Sequence, residues 1–360
     1  MNFSFGEFKT NVIIQEEIPN INCISSDLGL DIESRAFKPL FIADENTEFL
    51  AKKALSGHNF PLLTIESGEE NKKWETVHVI LNAAHKAGLG RDGVFIAAGG
   101  GVIGDLCGFA ASIYKRGCRY ALISTTLLGM VDASVGGKTG FDLFGIKNIA
   151  GTFYPAEIVY MPLCALSSLP PKEIKSGMAE LIKTAILCGG DFLDLIIAKK
   201  EQLTNNNIDT LHECIKRAVL YKGGIVESDP KEISGIRFLL NLGHTFAHAL
   251  ESAAGLGNIT HGEAVAWGII RACELGKKLR ITPESRADKI KSLISFFGYE
   301  CSCMHPLAKD ASVLLNVMKS DKKNKQGKMT FIIPDETGAR TVFLETEEEI
   351  KTLEEVLTNN

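Results

Sequence analysis

The sequence predicts an α/β domain on a mostly parallel, Rossmann-like sheet, followed by an all-α domain. Three observations predict it. Short apolar, β-branched runs alternate with helical patterns through the first half, and that alternation implies a parallel sheet covered on both faces. After Pro170 and Pro171 the periodicity becomes mainly helical. The chain has 360 residues, 45% of them hydrophobic and 23% charged, enough for two domains with sizeable cores. The boundary falls near 165–172, giving domains 1–168 and 169–360.

Taken in order, the first buried strand is expected at 39–43, ending at the polar cluster that contains Asp44. A second at 62–65 runs into a polar segment with Glu69 and Lys72, and a helix follows from Trp74 to Lys86. Strands are expected at 93–98 and 120–124. Ligands of such sheets bind beyond the carboxyl ends of strands, and the polar clusters fall at those ends. In the second half helices are expected at 211–226, 237–254, 262–279 and 285–297, with a late strand at 328–334.

The net charge of −5 and pI near 6.0 argue against a general nucleic-acid role. Nine scattered cysteines in a chain of this length read as reduced thiols of a cytoplasmic protein. The N-terminal residues lack the basic-then-apolar pattern of a signal peptide, and no apolar run approaches membrane-spanning length.

The run G-G-G-V-I-G at 99–104 follows a strand and opens a helical pattern. Glycines let a backbone approach a pyrophosphate, and a helix N-terminus supplies N–H donors. The run does not open the first strand–helix unit, and no acid follows about twenty residues later, where I-S-T-T stands at 123–126. A tight turn without a ligand is therefore the alternative. Asp105 after the turn, with Thr125 and Thr126 at another strand end, favours a nucleotide.

Glu180, His244 and His261 form a carboxylate–imidazole set of the kind that holds a catalytic divalent metal with an open position. Three of the eight histidines, His244, His248 and His261, fall within eighteen positions. His244 and His248 are four apart and share a helix face, but no Glu follows His244, so the H-E-x-x-H pattern is absent. Spacing alone does not choose among the three histidines. Lys138 closes G-G-K-T at 136–139, which lacks the first glycine and the spacing of a P-loop. Arg237 and Asn241, seven and three residues before His244, are placed on its helix face, where a cation and an amide would orient a phosphorylated, hydroxylated substrate.

At these residues the chain resembles the 3-dehydroquinate synthase family, over about residues 40–335. The resemblance rests on G-G-G-V-I-G-D at 99–105, S-T-T-L-L at 124–128, V-D-A-S-V-G-G-K-T-G at 131–140 and L-P-P at 169–171. It continues in G-M-A-E-L-I-K at 177–183, N-L-G-H-T-F-A-H at 241–248 and H-G-E-A-V at 261–265. It implies an NAD-binding N-terminal domain, a helical C-terminal domain for metal and substrate, an active site in the cleft between them, a zinc ion (or cobalt) and a homodimer. The implied metal ligands are Glu180, His244 and His261, with His248 as a substrate-side acid/base. The resemblance puts Arg116, Asp132, Lys138, Asn148, Lys183, Lys222, Glu232, Arg237, Asn241 and Lys323 in the substrate pocket. It puts Asp44, Glu69, Lys72, Gly100, Gly101, Asp105, Thr125, Thr126, Lys147 and Ser168 on the NAD side.

The chain departs from the family pattern in places. One extra residue stands between Glu232 and Arg237, and a glycine is displaced in F-G-I-K-N at 144–148. F-Y-P at 153–155 lacks an intervening glutamine, and Ser168 replaces a common threonine. The implied substrate is a phosphorylated sugar acid, 3-deoxy-D-arabino-heptulosonate 7-phosphate. The implied sequence is oxidation by NAD, phosphate elimination, reduction, ring opening and intramolecular aldol closure. A sugar-phosphate cyclase with another product, a metal-dependent polyol dehydrogenase and a silent binding protein are the alternatives. Asn241 and His248 argue against the first.

Overall fold

The structure is a computed structural model that describes residues 1–34, 37–255, 257–308, 310–320 and 328–358. Its strands are β1 (Asn2–Phe5), β2 (Phe8–Gln15), β3 (Pro39–Asp44), β4 (Leu62–Ile65), β5 (Val94–Gly99), β6 (Arg119–Ser124), β7 (Lys138–Leu143), β8 (Ile146–Phe153), β9 (Ile158–Pro162), β10 (Met329–Pro334) and β11 (Ala339–Leu344). Seven form one sheet in the order β1-β2-β9-β6-β5-β3-β4. All its pairings are parallel except β1 with β2.

The parallel core follows from composition. All six residues of β5 and all five of β9 are buried, as in strands covered on both faces. Phe41, Ile96, Ile123 and Tyr160 meet in one cluster with Ile21, Ile24 and Ala51 from the flanking helices. From β3 the chain goes outward to β4, then crosses to β5 on the other side of β3 and continues to β6. The carboxyl ends of β3 and β5 therefore flank a topological switch point, where ligands of open α/β sheets bind. Asp44 closes β3 and Gly99 closes β5, so both polar clusters sit there.

The chain divides into two units, Met1–Ile174 with Lys222–Lys231, and Lys175–Tyr221 with Glu232–Asn360. The second unit is mainly helical. It takes most of the helices Pro171–Cys188 and Ile208–Ser228, and all of His244–Ala254, His261–Lys278 and Glu284–Phe296. It also holds the antiparallel hairpin β10–β11, only the first strand of which the sequence signals.

One expected helix is two elements. Residues 237–254 divide into a 3₁₀ turn, Arg237–Asn241, and the helix His244–Ala254. Gly243 breaks the run with φ of 79°, and a Cβ there would lie 2.8 Å from the backbone nitrogen of Ile269. The close crossing of the two helices forces the break, and only glycine fits it. Arg237 and Asn241 therefore do not share the helix face of His244.

Candidate active site

Glu180, His244 and His261 come from three elements that the packing of the second unit fixes together. The helix His261–Lys278 begins at a capping box: Glu263 N donates to Thr260 Oγ1 at 3.2 Å, and Thr260 N donates to Glu263 Oε2 at 3.1 Å. Its second residue, Gly262, lies so close to the helix Pro171–Cys188 that a Cβ would meet the Ser176 carbonyl oxygen at 2.2 Å. Gly262 N also donates to Ser176 Oγ at 3.1 Å. That contact sits one turn before Glu180 and sets His261 beside it. The helix of His244 is tied to β10, because Thr245 Oγ1 donates to Thr330 O at 3.2 Å.

Glu180 is fully buried, and both its carboxylate oxygens lack a hydrogen bond. His261 Nε2 lies 3.3 Å and His244 Nε2 3.7 Å from Glu180 Oε1. Lys183, one turn along the same helix and also buried, forms an ion pair with Glu180. All three groups are within ion-pair reach of Glu180. Among the described residues, Glu180, His244 and His261 are the group whose potential ligand atoms all lie within 4.8 Å of one another. His248 is exposed and outside that group, with its ring centroid 5.6 Å from that of His244.

The two imidazoles are oriented from behind. His244 Nδ1 faces Leu242 O at 3.2 Å, and His261 Nδ1 faces Glu251 Oε1 at 3.4 Å. With Nδ1 as the proton-bearing nitrogen of each ring, a bound metal would find both Nε2 atoms available as ligands. Enclosure by protein works against a charged His261, but the carboxylates of Glu180 and Glu251 outweigh it and raise its pKa to about 10. Glu180 has the buried Lys183 ammonium beside it but no aligned hydrogen bond, which leaves its oxygens able to take a metal. Two imidazole nitrogens and a carboxylate are the donor set of a divalent metal that keeps an open position. The residues fit zinc or cobalt.

In the first unit, Gly100 caps the helix Gly101–Ile113 directly after β5. A cleft there is lined by Gly100, Gly101, Gly104, Ser134 and Lys138, among others. The hydroxyls Thr125 Oγ1 and Ser134 Oγ are buried without a hydrogen bond. Free N–H groups of a helix start and the Ser134 hydroxyl in the cleft lining suit a pyrophosphate-bearing cofactor. Sequence reasoning passes over Ser134, although it stands inside the motif at 131–140.

The charges at this end are already paired. Lys72, buried, meets Asp105 Oδ2 at 2.6 Å and donates to Asn148 Oδ1 at 2.5 Å. Burial works against its charge, but Asp105, Glu69 and Asp142 hold its pKa above the usual lysine value. Asp105 is pushed up by its own burial, with Glu69 and Asp142 adding to the effect and Lys72 opposing it. Asp142 Oδ1 accepts from Asn148 N at 2.7 Å, so this carboxylate, unnoticed in the sequence, anchors the β7–β8 hairpin. Asp44 accepts from Thr47 Oγ1 at 2.9 Å, and Ser168 Oγ donates to Ala165 O at 2.8 Å.

Lys222 Nζ meets Asp132 Oδ1 at 2.7 Å and donates to Asp132 O at 2.5 Å. Arg237 is buried, and Asn241 Nδ2 donates to Phe238 O at 3.0 Å. Lys138 and Lys147 are exposed. Arg116, Asn148 and Glu232 have φ of 67°, 51° and 57°. Such backbone is strained for residues other than glycine and is concentrated at functional positions. Lys322 and Lys323 lie outside the described residues.

The 3-dehydroquinate synthase N-terminal family description matches residues 62–176, and its C-terminal counterpart matches 177–324. A 3-dehydroquinate synthase of Rhodopirellula baltica is 39% identical over 286 residues, covering 79% of this chain and 75% of the relative. A 2-deoxy-scyllo-inosose synthase, solved with carbaglucose-6-phosphate, NAD⁺ and Co²⁺, superposes with a TM-score of 0.83 at 24% identity, covering 99% of this chain and 98% of that one. A 2-epi-5-epi-valiolone synthase of Streptomyces hygroscopicus subsp. jinggangensis, solved with NAD⁺ and Zn²⁺, gives 0.82 at 24% identity, covering 98% of each chain.

Proposed function

The chain belongs to the 3-dehydroquinate synthase family, and from that premise we propose that it converts 3-deoxy-D-arabino-heptulosonate 7-phosphate into 3-dehydroquinate and phosphate. This is a phosphorus–oxygen lyase reaction of the shikimate pathway, on the route to the aromatic amino acids. The observation that carries the reading is the buried carboxylate of Glu180 facing Nε2 of two histidines.

Glu180, His244 and His261 would hold the metal. Bound to the chain, NAD supplies removal and return of a hydride, and zinc or cobalt supplies Lewis-acid stabilisation of substrate oxygens. His248, one turn beyond His244 and exposed, would move a proton on the substrate side. Lys183, Lys222, Arg237 and Asn241 would bind the phosphate and carboxylate, with Arg237 suited to a bidentate grip. By the same resemblance we assign Arg116, Asp132, Lys138, Asn148, Glu232 and Lys323 to substrate binding.

Gly100, Gly101, Thr125 and Thr126 would take the cofactor's pyrophosphate region. Asp44, Glu69, Lys72, Asp105, Lys147 and Ser168 would complete the NAD side. Nine cysteines, none of them in a disulfide among the described residues, support a reducing, cytoplasmic setting. The homodimer is carried over from the resemblance. Phosphate release without net NADH is expected when the purified chain is incubated with the heptulosonate phosphate, NAD and zinc. Stoichiometric NADH without phosphate would replace this reading with a polyol dehydrogenase.

A further inference from the structure

We propose that Glu251 is a positioning residue that sets the metal affinity of the site through His261; this rests on the metal-site reading above. An imidazole offers one nitrogen to a cation when its other nitrogen holds a proton. Leu242 O lies 3.2 Å from His244 Nδ1 and would hold that proton there, a backbone contact two residues away that comes with the fold. His261 uses a side chain instead, Glu251 Oε1 at 3.4 Å.

The asymmetry follows packing. The His244 side chain is 11% exposed and that of His261 is 31% exposed, so neighbours hold the second ring less firmly. The less confined ring is the one given a charged acceptor. Glu251 itself is held, with its side chain only 11% exposed. It lies seven residues after His244 on the helix His244–Ala254, so His244, His248 and Glu251 line one face. One helix thus supplies a ligand, an exposed histidine and the orienting group of the ligand on the next helix. A carboxylate behind an imidazole fixes its tautomer and ring plane and makes the metal-facing nitrogen a stronger donor.

The test is zinc affinity of the full-length chain, by competition with a chromophoric chelator, and the visible spectrum of the cobalt-loaded protein. Glu251→Met keeps length and helix propensity but removes the acceptor. It should weaken zinc by about ten- to a hundred-fold and alter the cobalt bands, with the metal-free melting temperature unchanged. Glu251→Gln, which keeps an acceptor oxygen, should recover most of the affinity. Wild-type affinity and an unchanged cobalt spectrum in Glu251→Met would overturn the proposal. So would equal losses in both variants accompanied by a lowered metal-free melting temperature. If Glu251→Met does not fold, Glu251→Gln decides: a loss as large as that of His261→Ala overturns the proposal, and a loss of a few-fold upholds it. His261→Ala also separates the two readings, because retained zinc there would sink the metal site itself rather than the role of Glu251.

Discussion

The metal end and the nucleotide end both pair a buried lysine with a carboxylate but differ in how far hydrogen bonds complete the pair. At the metal end Glu180 keeps two oxygens without a hydrogen bond, with a single buried lysine and two imidazoles around it. At the nucleotide end Lys72 binds Asp105 and Asn148, and Asp44 is used by its own turn. A buried carboxylate met by an ion pair but by no aligned hydrogen bond still gains from a divalent cation. A self-paired network costs little before binding and must exchange partners when a ligand arrives. The metal site is thus built for tight, lasting occupancy, and the nucleotide turn for exchange of contacts.

The sharpest way to break this comparison is to remove a ligand. His244→Ala should lose metal and activity together, with turnover falling roughly a thousand-fold or more if Lewis-acid stabilisation is worth several kcal/mol. His248→Ala should keep the metal while turnover falls by about a hundred- to ten-thousand-fold, as for loss of an acid/base group. Metal analysis of both proteins decides, and equal loss of metal would mean that the wrong histidine was chosen.

The second prediction concerns stability without metal. Glu180→Gln removes the carboxylate from a buried ion pair with Lys183, both side chains being at most 2% exposed. Urea unfolding of the metal-free protein should show a loss of about 3–5 kcal/mol, the usual cost of breaking a buried pair on one side. At the nucleotide end, Lys72→Met should cost less, about 1–3 kcal/mol, because Asp105 and Asn148 are partly open to water. Equal costs at the two ends would erase the contrast between them.

What the sequence made legible were elements whose pattern is local. The helix Trp74–Lys86 and the strand Leu62–Ile65 lie within the bounds that periodicity and a buried apolar run predict. The strand β8 escaped because most of its residues are exposed and it presents no alternating apolar face. The break at Gly243 escaped because a neighbouring helix about twenty-five residues downstream imposes it. The same holds for the site. Spacing singled out His244, His248 and His261, but the choice among them depends on where the contact of Ser176 with Gly262 places Glu180. Glu251 had a readable signal, the i, i+4, i+7 series from His244, yet its meaning needs the position of His261.

The smallest expected effect is a pH dependence that isolates the nucleotide end. Burial opposes the charge of Lys72, but Asp105, Glu69 and Asp142 prevail, so its folded-state pKa lies above the usual 10.5. A basic group with a raised folded pKa binds its proton more tightly when folded. Its contribution to stability is complete below pH 10.5 and is lost as pH rises through the folded value. The stability gap between the wild-type chain and Lys72→Met should therefore be constant through neutral pH and narrow under alkaline conditions. Denaturant unfolding of both proteins at neutral pH and above pH 10.5 measures it. A gap that stays constant at high pH would mean that the packing of the Lys72 stem, not its charge, ties the β7–β8 hairpin to the glycine-rich turn. The nucleotide end would then be held as rigidly as the metal end.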